Sequence, residues 1–202
     1  MNHLFIRHRV NSLSELSSLE KDWGVEVDLR SCVQSKGALH LSHDPWVMGD
    51  DFESWLAEFK RLSIRGPIWV NTKEDGLEER IDDLMLKYQI DTYVFLDTVL
   101  PTLVRKVHFQ NLKHFAVRLS AYEPEEFVTL FSGKAEWVWV DCFQGIPLSV
   151  KLVKQLRKYF KVCLVSPELH GRSLQDNLSD FAPLFEISDA VCTKEPLAWK
   201  NL

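Results

Sequence analysis

Eight short runs of apolar, β-branched and aromatic residues alternate with stretches of helical spacing, and this predicts an α/β protein, a single compact (β/α)8 barrel over residues 1–202. From the third run onward the runs start at 67, 92, 114, 136, 161 and 187. These steps of roughly 22–26 residues hold one strand, one helix and two short loops. Strands that alternate with helices pair in parallel, and eight such units close most naturally into a barrel. A doubly wound open sheet is the alternative use of the same units.

The first run, HLFIRHR (3–9), reads as a strand, and SLSELSSLEK (12–21) has helical spacing. GVEVDLR (24–30) is the second strand, followed by a loop that leads through ALHLSHDPW (38–46). DFESWLAEFKRL (51–62) is a helix, PIWVNTK (67–73) the third strand. GLEERIDDLMLKY (76–88) is the clearest helix, with Leu77, Ile81, Leu84 and Leu86 on one side. TYVFLD (92–97) follows, then TVLPTLVRKV, helical only if Pro101 sits in its first turn. HFAVRLS (114–120), EPEEFVTLF (123–131) and EWVWVDCF (136–143) make the next strand, helix and strand, with Trp137 and Trp139 in core layers. PLSVKLVKQLRKYF (147–160) is a helix, and KVCLVSP (161–167) and ISDAVCT (187–193) are the last two strands. Lys194–Leu202, with Pro196 early in it, leaves room for little final helix. A barrel of this kind takes about 250 residues and at least about 200, so a chain of this length has minimal loops.

Composition excludes several classes. The 24 Lys+Arg against 29 Asp+Glu give a net charge of −5, without the basic stripe of a nucleic-acid binder. No run approaches the ~18 apolar residues of a membrane span. His3, Arg7, His8 and Arg9 interrupt the N-terminus, which is therefore not the apolar core of a signal peptide. Cys32, Cys142, Cys163 and Cys192 have neither CxxC nor zinc spacing, as expected of reduced, buried thiols in a cytoplasmic protein. Oligomeric state is left open.

Chemistry in a barrel sits at the carboxyl ends of the strands. The first strand ends in His8 and Arg9; the second carries Glu26 and Asp28 on one face; the following loop brings His43 and Asp44; the third strand ends in Asn71 and Lys73. Two carboxylates on one face suit a hard cation, to which Asn71 can add a carbonyl oxygen. Two histidines suit paired acid and base work, and Arg9 and Lys73 offer positive charge to an anion. Phosphate-ester chemistry fits this set better than any other class. Later strands end in Arg118, Asp141 and Glu168, which serve as second-tier pocket residues or as a salt-bridge network; Arg118 is the best phosphate contact among them. Trp46 borders the pocket as a possible sugar or headgroup contact, while His3, His40, His108, His114 and His170 lack ligand spacing and read as structural or exposed.

The ordered string HR (8–9), EVD (26–28), HDP (43–45) and NTK (71–73) resembles the motifs of the glycerophosphodiester phosphodiesterases, in the phospholipase-C-like superfamily of TIM-barrel phosphodiesterases. That family runs HRG, ExD, HD, then ExK. The resemblance implies His8 and His43 as acid and base, Glu26, Asp28 and Asn71 as ligands of Mg²⁺ or Ca²⁺, and Arg9 and Lys73 as phosphate contacts. The implied activity is metal-dependent hydrolysis of a small or lipid-derived phosphodiester. Val10 stands where the family has Gly, and Asn71 where it has Glu; the loop after Arg9 is shortened, and there is no sizeable insertion after His43. These departures leave the substrate open. They also support a second reading, a non-catalytic phosphate- or sugar-binding barrel, and a third is different chemistry on the same barrel.

Overall fold

The computed structural model describes residues 3–32, 35, 37–145 and 148–202. Its strands, numbered along the chain, are β1 (Leu4–Arg7), β2 (Gly24–Ser31), β3 (Leu39–Leu41), β4 (Ile68–Thr72), β5 (Tyr93–Leu96), β6 (Ala116–Leu119), β7 (Trp137–Val140), β8 (Lys161–Val165) and β9 (Ala190–Thr193). Every predicted run holds one of them; β3 is additional. The chain divides into two compact units, His8–Thr102 and Met1–Arg7 with Leu103–Leu202.

In the first unit β2, β4 and β5 run parallel with β4 central, Asp28 level with Asn71 and Ile68 level with Tyr93. β3 lies antiparallel on the end of β2, Leu29 level with Leu41. Three residues are too few for an alternating pattern to register, so the sequence reads there as loop. The helices are α1 (Leu13–Leu16), α2 (Phe52–Arg61) and α3 (Glu78–Lys87). α2 buries Phe52, Trp55, Leu56 and Phe59, the three- and four-residue steps of one helical face. Its start is fixed by Asp51, whose carboxylate accepts from Ser54 N at 2.7 Å. Asp51→Ala should therefore cost about 1 kcal/mol, read as a lowered urea midpoint with unchanged slope. In α3 the buried face is Ile81, Leu84 and Met85, and Leu86 is exposed. At about 100° per residue Leu86 lies some 140° around from Ile81, whereas Met85 is about 40° away.

α4 (Leu100–Val104) holds Pro101 in its first turn and continues as a π-helical turn over Arg105–Phe109. The second unit is a parallel sheet in the order β1-β9-β8-β7-β6, with Leu4 level with Ala190 and Arg118 level with Trp139. Trp137 and Trp139 are buried as expected. α5 (Glu125–Thr129) and α6 (Val150–Leu156) fall within their predicted segments; Pro147 of the predicted 147–160 helix lies outside the described residues. α7 (Leu174–Phe185) falls where the sequence pattern assigns no helix, and α8 (Pro196–Lys200) is the short final helix that Lys194–Leu202 has room for. Gln175, Asp176, Asn177 and Asp180, with Pro183, dilute the apolar signal of α7, which buries Leu174, Phe181, Leu184 and Phe185. α8 buries Trp199, whose indole N–H donates to Ser166 Oγ at 2.9 Å. Among the described residues no helix is long and apolar enough to cross a membrane.

Candidate active site

Within the first unit, alternation along β2 sends Glu26, Asp28 and Arg30 to one side of the sheet, and register sets Asn71 beside Asp28. Glu26 and Asp28 are both buried. Arg9 has a left-handed backbone, φ 55°, and this turn aims its N–H at Glu26 Oε2, 2.9 Å away. Val10 then returns to the sheet, its N–H donating to Glu26 O at 2.9 Å, and its side chain is buried. A buried valine thus packs where the resembling family has glycine.

Asp28 is the hub. Its Oδ1 meets Lys73 Nζ at 2.9 Å; Oδ2 accepts from Asn11 Nδ2 at 2.7 Å and lies 3.6 Å from Arg9 Nε. Asn11 also accepts from Asp28 N at 2.9 Å, so one amide clamps both the backbone and the carboxylate. In the sequence Asn11 reads only as part of a shortened loop; the signal for it is an Asn two residues past the HR motif. Lys73 is anchored by its own N–H to Leu29 O at 3.0 Å.

His8 Nε2 stands 3.7 Å from Glu26 Oε2. Burial pushes the Glu26 carboxyl up to about 8, the neighbouring charge of Asp28 pushes the same way, and the Arg9 N–H and Lys73 ammonium oppose them. His43 is held differently. Its carbonyl accepts from Arg30 Nη2 at 2.9 Å, and Ser42 N donates to Asp28 O at 3.0 Å, tying the end of β3 to the hub strand. His43 Nδ1 lies 2.7 Å from Asp44 Oδ1, so the carboxylate engages Nδ1 and not Nε2. The hydrogen bond from His43 holds the Asp44 carboxyl below its usual range.

The described residues contain no cluster of three His, Cys, Asp or Glu side chains suited to a metal. The oxygens at the hub are nevertheless those a hard cation takes: Glu26 Oε1 and Asn71 Oδ1 are buried, the Asn71 amide lies beside the Glu26 carboxyl, and Asp28 Oδ1 faces the Lys73 ammonium. With Asn71 in the third place, two carboxylates and one neutral carbonyl fit a divalent ion.

Trp46 points to solvent, 98% exposed. In the second unit Arg118 Nε meets Asp141 Oδ2 at 3.1 Å, and His170 Nε2 meets Asp141 Oδ1 at 3.1 Å. His170, set aside in the sequence as structural or exposed, is thus joined to a predicted pocket residue through a contact between distant segments. Glu168 belongs to another network: its carboxylate accepts from Thr193 Oγ1 at 2.6 Å, from Lys194 N at 2.9 Å and from Ser166 Oγ, linking the ends of β8 and β9.

Solved structures match this chain end to end. A glycerophosphodiester phosphodiesterase candidate from Galdieria sulphuraria aligns over 100% of this chain and 97% of its own, with a TM-score of 0.76 and 16% identity. An Oleispira antarctica phosphodiesterase, solved with the product sn-glycerol-3-phosphate, covers 98% and 95% with a TM-score of 0.69 and 15% identity. A glycerophosphodiester phosphodiesterase from Agrobacterium tumefaciens gives 0.64 at 10% identity, over 96% and 98%. The chain has the glycerophosphodiester phosphodiesterase fold. This fold is the predicted (β/α)8 barrel, and it carries the motif resemblance of the first third of the chain. No protein-family model and no curated protein matches the sequence.

Proposed function

We propose that this phosphodiesterase-type barrel hydrolyses a phosphodiester with His8 and His43 as its acid and base. The observation that carries the reading is the hub at β2 and β4, where Arg9, Glu26, Asp28, Asn71 and Lys73 converge beside His8. Arg9 and Lys73 neutralise the nonbridging oxygens of the ester. One imidazole takes the proton of an attacking water or substrate hydroxyl; the other gives a proton to the departing alkoxide oxygen, so one P–O bond forms as another breaks. Asp44 fixes the His43 tautomer, and Arg30 fixes the backbone that carries it. Glu26, Asp28 and Asn71 would hold Mg²⁺ or Ca²⁺, which when bound supplies further positive charge to the phosphoryl oxygens. The product held by the Oleispira neighbour supports a small glycerol-based phosphodiester as the ligand class.

Mass analysis of products from a panel of phosphodiesters, run with Mg²⁺, with Ca²⁺ and with chelator, tests the reading. A monophosphate or a cyclic phosphate whose formation stops with chelator is expected. Binding of phosphate esters without turnover under any of these conditions would replace it with the phosphate-binding alternative.

A further inference from the structure

The strand that carries the hub continues past it into a cavity. Alternation along β2 puts Arg30 on the same face as Glu26 and Asp28, one strand repeat of about 7 Å beyond Asp28. The β2–β3 register sets His40 level with Arg30, on that face too. Both line a cavity of about 430 Å³, whose other walls are Ser31, Glu74 and the segment 45–48. Cavities of roughly 300–1,000 Å³ take whole small molecules. Arg30 also joins this one to the candidate site: its Nη2 donates to His43 O at 2.9 Å, so the wall of the cavity holds the backbone of the second imidazole.

The polar side of the cavity is a fixed network. Glu74 accepts from Ser31 Oγ at 2.5 Å and from Ser31 N at 3.3 Å, and Arg30 Nη1 lies 3.8 Å from Glu74 Oε1. Guanidinium and carboxylate cancel in charge, so the wall favours a neutral group over an ion of either sign. A second phosphate would meet Glu74, and a quaternary ammonium would meet Arg30. Two atoms of this wall, Arg30 Nε and His40 Nδ1, are buried and have no hydrogen-bond partner among the described residues. An alkyl chain in the cavity would leave both without one, which is costly. A hydroxyl both donates and accepts, whereas the guanidinium only donates and the carboxylate only accepts. Adjacent hydroxyls on one ring therefore serve Arg30 and Glu74 together. The apolar side chains of the segment 45–48 suit the C–H face of the same ring.

We infer that this cavity recognises a ring of vicinal hydroxyls, a sugar or a cyclic polyol, carried as the alcohol group of the phosphodiester next to His43. That the ring belongs to a phosphodiester rests on the catalytic reading above; that the cavity takes it does not. His40 and Glu74 are then specificity-determining residues and have no part in the bond exchange.

Saturation-transfer NMR with free myo-inositol, methyl β-glucoside and choline tests the cavity without turnover. The two rings should receive saturation from the protein, the stronger signal telling cyclic polyol from sugar, and choline should not. His40→Phe keeps a planar ring and removes both nitrogens; Glu74→Gln, nearly isosteric, makes the same test without touching the sheet. Either should remove most of the ring signal. On glycerophosphoinositol either should raise KM about tenfold with kcat nearly unchanged, while glycerophosphocholine kinetics stay as in wild type. Choline saturated as strongly as the rings overturns the inference, as do rings that bind both variants as they bind wild type. Turnover that treats the inositol and choline esters alike also overturns it and leaves the catalytic reading standing. Ring binding that both variants abolish, with no phosphodiester turned over, upholds the cavity and overturns the catalytic reading.

Discussion

His8→Ala and His43→Ala are each expected to lower kcat by about 10²–10⁴-fold, the usual worth of a positioned acid or base. KM should change far less, because the cations proposed to hold the ester, Arg9 and Lys73, are bonded to Asp28 and not to either imidazole. The double variant should fall little below the single ones, since an acid and a base that serve one bond exchange act as a unit. Folding should be spared at His43, which is 41% exposed and tied by its side chain only to the exposed Asp44. Asp44→Asn supplies the graded control. It keeps a side-chain partner near Nδ1 but removes the charge, so it should lower kcat less than His43→Ala and shift the pH–rate profile. Steady-state kinetics on the best substrate of the panel decides the matter: full activity in both histidine variants would sink the mechanism.

Much of this site was legible in the residues because it is built from local rules. A strand's two-residue period alone places Glu26 and Asp28 on one face, and the adjoining motifs place His8, His43, Asn71 and Lys73 at strand ends or in the loops beyond them. What escaped depends on pairings that span the chain. Nothing in the local pattern says that Asn71 lies level with Asp28, because the β2–β4 register is set between segments more than forty residues apart. Asn11 looks like loop filler until its two hydrogen bonds to Asp28 are seen. Arg30 is one more polar residue on an alternating strand until its guanidinium reaches the carbonyl of His43. The same limit explains β3, too short to show a period, and α7, whose polar residues mask its buried face. Trp46 marks a different limit. Its position next to the HDP motif suggests a pocket wall, and it does line a cavity with Arg30 and His40, but its 98% exposure is not readable from the residues around it.

In protein stripped of divalent cations, stability should fall as pH rises from about 5 to about 8, by an amount on the order of several kcal/mol, and Glu26→Gln should remove most of that slope. The Glu26 carboxyl is pushed up from 4.5 to about 8 by burial and by Asp28. Below 4.5 both folded and unfolded chains hold its proton, and the native state keeps its full advantage. Between these values the unfolded chain gives the proton up and the folded chain retains it, so unfolding becomes easier with each step in pH. Above about 8 both are ionised and the loss levels off. Gln keeps an oxygen for the Arg9 N–H and cannot ionise, so the difference between the two proteins reports the ionisation of Glu26 together with its coupling to Asp28. Urea denaturation of both at several pH values measures it. Stability that instead rises with pH in the wild type relative to Glu26→Gln would mean that the site holds Glu26 as a carboxylate without a metal. The expected sign has a chemical consequence. A neutral Glu26 leaves Asp28 alone facing Arg9 and Lys73, and that surplus of positive charge is what an arriving phosphodiester anion would meet.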